Sequence, residues 1–103
     1  MSVSMEWLLL SILKELQSGN EPHLGEYRKF DISLQIFGFA VEELGRMHYL
    51  ENAYVMRTGE GRLVCLVCLT SAKVTKGGKE FLARNDAFFG REDSGGELLQ
   101  LTL

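Results

Sequence analysis

The apolar residues of this chain change period once, near Leu50, and that change limits the fold more than any other feature. Before it, large apolar side chains recur every three or four residues; beyond it they run unbroken from Leu63 to Leu69, behind a Gly59-Glu60-Gly61 turn. The first pattern suits helices with one buried stripe, the second paired strands. A chain of 103 residues is one domain's worth. Neither half can bury its apolar face alone, so both must share a core, and the expected class is α+β.

Ser4 caps a helix from Met5, with Glu6 in the first turn, where the helix dipole favours a carboxylate. Met5, Leu8, Leu9, Ile12 and Leu16 form its inward stripe, leaving Trp7 and Leu10 on the opposite side as surplus. Gly19-Asn20 and Pro22 end it. The stretch from His23 to Phe30 is read as a short helix carrying Leu24, Tyr27 and Phe30 inward. Asp31 or Ser33 caps the next helix, about Leu34 to Met47, whose stripe is Phe37, Ala40, Val41, Leu44 and Met47. Its outward face is Gln35, Phe39, Glu42, Glu43 and Arg46. Gly38 and Gly45 weaken it unless something packs closely there.

Tyr54 to Thr58 and Arg62 to Thr70 read as a hairpin around the glycine turn. Both faces of its second strand are apolar: Leu63, Cys65, Val67 and Leu69 on one, Val64, Leu66 and Cys68 on the other. Thr75 caps a last helix from Lys76 through at least Arg84, with Phe81, Leu82, Phe88 and Phe89 inward. The domain is expected to occupy residues 1–86. Residues 87–103, with Gly90, Gly95 and Gly96 and the leucines at 98, 99, 101 and 103, are expected to be a mobile or docked tail. Helix, short helix, helix, hairpin, helix is the order of a winged helix, with the third helix in the recognition position and the hairpin as wing.

Three stretches carry a resemblance to a family: Ile12-Leu13-Lys14-Glu15-Leu16 running into Gly19-Asn20, Ala40-Val41-Glu42-Glu43-Leu44 through Tyr49-Leu50, and Val74-Thr75-Lys76-Gly77-Gly78-Lys79-Glu80-Phe81-Leu82. With these the chain resembles the YjcQ-like winged-helix proteins of Gram-positive bacteria and their prophages. The resemblance implies a winged-helix fold and a role in DNA binding or transcription regulation. Such proteins often carry glycine before the aromatic that follows the third helix. Here His48 precedes Tyr49, so His48 is expected in a left-handed cap.

Charge is unevenly spread. The net −3 comprises −4 over residues 1–52, +4 over residues 53–84 and −3 from Asn85 onward. The basic excess rests on Arg57, Arg62, Lys73, Lys76, Lys79 and Arg84 against Glu60 and Glu80. No apolar run is long enough to span a bilayer, and no basic stretch precedes Trp7 to Leu10 as in a signal peptide, so a cytoplasmic protein with no membrane partner is expected.

Cys65-Leu66-Val67-Cys68 has the spacing of a zinc or redox pair. A zinc site needs about four ligands, and neither His23 nor His48 has ligand spacing. Two core cysteines is the expectation, with no metal and no cofactor. No nucleophile lies beside a base, Glu42 and Glu43 diverge on their helix, and Lys76-Gly77-Gly78-Lys79 lacks the P-loop spacing. No catalytic residue or small-molecule ligand is indicated.

Two roles remain. As a regulator on double-stranded DNA, the protein would set Gln35 and Arg46 near bases and Arg57, Arg62, Lys73, Lys76 and Lys79 on phosphates, although Glu42 and Glu43 repel phosphate. As a protein-interaction or dimerisation module, it would use the surplus apolar residues Trp7, Leu10, Phe39, Val64, Leu66 and Cys68, with a homodimer through the outer hairpin face.

Overall fold

A computed structural model describes residues 4–85; the expectations for Phe88, Phe89 and the tail lie outside the described residues. The fold is α+β: helices α1 (Met5–Gln17), α2 (Leu34–Arg46) and α3 (Lys76–Arg84), strands β1 (Leu50–Glu51), β2 (Tyr54–Thr58), β3 (Leu63–Cys68) and β4 (Lys73–Val74), and two 3-10 turns at Leu24–Glu26 and Arg28–Phe30. β2 pairs with β3 as an antiparallel hairpin, and β1 pairs with β4 to close its base. No described helix is long and apolar enough to cross a membrane.

Each helix starts where a hydroxyl can take an orphan N–H. Ser4 accepts from Trp7, Ser33 from Ile36 and Thr75 from Gly78, at 3.0, 3.3 and 3.0 Å. Their ends follow backbone geometry. In α1 the Asn20 N–H reaches the Glu15 carbonyl and the Gly19 N–H that of Leu16, with Gly19 at φ 89°. The same pair of bonds closes α2, from Tyr49 to Leu44 and from His48 to Gly45. His48 stands in the glycine position at φ 62°, as the sequence led us to expect.

α1 departs from its expected stripe. Leu8 and Ile12 are buried, but so are Trp7, Leu10 and Leu13, whereas Met5 is exposed. The helix touches α2 on one side and β4 and α3 on others. The 3-10 segment covers Trp7, whose ring stands edge-on to Tyr27 at 6.1 Å and tilted to Phe30 at 5.0 Å. A helix enclosed this way is apolar nearly all round. Trp7 and Leu10 are therefore core residues, and their place in the expected protein interface is corrected.

The hairpin contains a second departure. Met56 pairs with Leu66 and Arg57 with Val64, so Cys65 is passed over and the strand bulges there. One extra residue reverses the alternation. Val64 joins Val55, Val67 and Leu69 on the inner side, and Leu63, Leu66 and Cys68 share the outer side with Tyr54 and Met56. Val64, also expected at a partner interface, is buried against α2 instead. A Cβ on Gly38 would lie 2.7 Å from its Cγ1, so the glycine in α2 is the seat for this valine. Gly45 has open space and no such neighbour.

Candidate functional site

α2 and the hairpin present the surface on which both expected roles depend. The inner side of α2 is Phe37, Ala40, Val41 and Leu44, all buried. Gly38 turns one flank toward β3, while Phe39 and Arg46 are exposed and Glu43 is half-buried on the outer side.

Gln35 is expected to read bases. Its side-chain amide instead holds the backbone of β3: Nε2 donates to the Val64 carbonyl and Oε1 accepts the Val64 N–H, both at 2.8 Å. The amide behaves as one residue of a neighbouring strand and closes that point of the sheet edge. Replacing Gln35 with alanine strips both partners from a buried residue and is expected to lower stability by roughly 1–3 kcal/mol. Urea unfolding with Val64 amide exchange checks this; an unchanged midpoint and unchanged exchange would mean the clamp contributes nothing.

Arg57, expected on phosphate, also faces inward. Its Nε donates to Glu42 Oε2 at 2.8 Å and its Nη2 to Oε1 at 2.5 Å, while Nη1 donates to the Gly61 carbonyl at 3.0 Å. One guanidinium thus ties α2 to the hairpin and to its turn in the fork geometry that suits a carboxylate. The bond to Arg57 holds the Glu42 carboxyl below its ordinary range, against the opposing effect of burial. Glu42 is therefore a strut of the hairpin, and its charge is matched within the chain.

Glu43 and Arg46 form an ion pair one turn apart on α2. Arg62 and Glu60 flank the hairpin turn 4.0 Å apart, both largely exposed. Lys73, Lys76 and Lys79 are exposed on β4 and α3. Lys76 and Lys79 lie three residues apart and so share a side of α3. Thr75 fixes where that helix starts, because its hydroxyl donates to the His48 carbonyl at 2.6 Å while accepting the Gly78 N–H.

Of the residues expected at a protein interface, Phe39 and Leu66 are exposed, and Cys68 is half-buried beside Thr70. Sequence reasoning missed Ile36 and Met47 on α2 and Tyr54, Met56 and Leu63 on the hairpin, which are all exposed. Period alone marks Ile36 as off the inward stripe. The hairpin set depends on the bulge, for which the sequence has no marker. Among the described residues no three His, Cys, Asp or Glu side chains gather to hold a metal ion. No protein-family model, no curated protein and no solved structure matches this chain.

Proposed function

We propose that this protein is a winged-helix domain that works through protein contacts, with the outer face of α2 as the contacting surface. Three helices and an antiparallel hairpin are compatible with that layout. The observation that carries the reading is the fate of the polar groups along α2. Gln35 is bound to Val64, Glu42 to Arg57, and Glu43 to Arg46. Beside the paired Arg46, whose side chain stays largely exposed, the helix offers three apolar side chains outward: Ile36, Phe39 and Met47. Base edges in a major groove are read by donors and acceptors, and each such group here would first have to leave an existing partner. An apolar helix face suits a protein groove or a facing helix.

Binding to the DNA backbone is the second reading, favoured by the exposed cations Arg62, Lys73, Lys76 and Lys79. The two are separated by titrating a duplex of random sequence at low and moderate salt, with wild type beside Lys76→Ala/Lys79→Ala. The protein-contact reading expects no saturable binding. Affinity that falls with salt, at a logarithmic slope of about 0.9 per phosphate contact, and falls again in the double variant would put DNA first. In cells expressing the protein, a photo-crosslinking residue at position 39 is expected to give one discrete protein adduct, and one at position 79 none. No adduct from position 39 would remove the α2 surface from consideration.

A further inference from the structure

We propose that the outer face of the β2–β3 hairpin pairs with the same face of a second copy of the chain, about a two-fold axis. This goes beyond the α2 contact and uses a different surface. The three outward cross-strand pairs are Tyr54 with Cys68, Met56 with Leu66, and Thr58 with Leu63. Their large side chains are open to solvent: Tyr54 54 %, Met56 40 %, Leu63 59 % and Leu66 48 % exposed. A hairpin with one face on the core normally turns polar residues outward. Here the bulge at Cys65 places Val64 on Gly38 and in doing so sends both Leu63 and Leu66 to the outside.

The chemistry of the patch selects its occupant. None of the six outward positions carries a charged side chain, and the guanidinium of Arg57, between Met56 and Thr58 on β2, is turned inward onto Glu42. Phosphate would need cations at these positions, and a charged peptide would need counter-charges. A neutral apolar face meets an identical face with no self-repulsion, which an isologous interface requires. Glu60 and Arg62 at the turn have opposite signs, so the rim is also balanced. Four side chains about half exposed supply on the order of 400 Å² per copy, a contiguous patch as large as monomers usually leave open. That amounts to about half of the 800 Å² per partner of a standard interface, fitting an apolar centre inside a polar rim. The Gln35 amide occupies the edge of β3 at Val64, so copies join face to face there and not by adding a strand.

Sedimentation equilibrium of the full chain over a wide concentration range tests this, with Leu66→Asp and Phe39→Asp alongside and far-UV circular dichroism to check folding. Wild type is expected to dimerise. Leu66→Asp puts one uncompensated carboxylate from each copy at the centre and is expected to weaken the dimer about 100-fold or more. Phe39→Asp is expected to leave it unchanged. Tyr54→Ser serves as the second hairpin variant if Leu66→Asp misfolds, with weaker dimerisation expected again. A wild type that stays monomeric throughout overturns the proposal. So does a dimer lost with Phe39→Asp and kept with the hairpin variants, which would move self-association to α2. Failure here leaves the α2 reading standing, because the crosslink at position 39 reports on that surface separately.

Discussion

Gly78→Ala is expected to destabilise the domain by about 1–2 kcal/mol, the upper part of the overpacking range of up to about 3 kcal/mol less the roughly 1 kcal/mol alanine gains over glycine inside a helix. A Cβ at position 78 would overlap the Tyr49 carbonyl oxygen and lie 2.8 Å from Val74 Cγ1. Neither neighbour can retreat easily. The Tyr49 carbonyl accepts the Thr75 N–H at 3.1 Å, its N–H completes the cap of α2, and its ring stacks on Phe81 with centroids 4.7 Å apart. α3 must lift from the base of the hairpin, which loosens the Thr75 link to His48. Gly77→Ala is the control, since its Cβ would meet Tyr49 Cδ1 at an ordinary 3.6 Å. Thermal unfolding should show Gly78→Ala melting roughly 5–15 °C lower and Gly77→Ala at or slightly above wild type. Equal midpoints for the two would mean that α3 does not dock on Tyr49.

The start of α3 belongs to the part of the fold that was legible in advance. It could be placed because a hydroxyl residue followed by a helical pattern has a local cause, as at Ser4, Ser33 and Thr75. The hairpin turn was legible for the same reason, backbone chemistry acting within a few residues, whereas the left-handed His48 was expected from the family resemblance, which places glycine there. The bulge was not, because Cys65 is neither glycine nor asparagine, and what selects it is the distant fit of Val64 onto Gly38. The roles of Gln35 and Arg57 were hidden in the same way. A glutamine and an arginine facing outward on sequence grounds look available to a ligand, yet their partners lie 29 and 15 residues away, on β3 and on α2. Two of the residues expected on DNA were thus structural, and the apolar outer face of the hairpin, expected from the sequence, exchanged Val64 for Leu63 because of the bulge.

The interior of α1 yields the other large effect. Leu10→Ala is expected to cost about 2–5 kcal/mol, the range for a buried leucine whose cavity closes only partly, whereas Met5→Ala should change stability by under about 1 kcal/mol, as at most exposed sites. Period alone gives the opposite order, since Met5 lies on the expected stripe and Leu10 off it. The structure leaves Leu10 fully buried and Met5 37 % exposed. The reason is that α1 is enclosed: α2, α3, β4 and the 3-10 segment each cover part of it, and a stripe rule assumes one covered side. Urea unfolding of the two variants decides the matter, and equal midpoints would mean that the side of α1 bearing Leu10 is open. The difference bears on function as well. If Leu10 and Trp7 are needed to hold the domain together, neither is available to a partner, and the surfaces left for one are the apolar flank of α2 and the outer face of the hairpin.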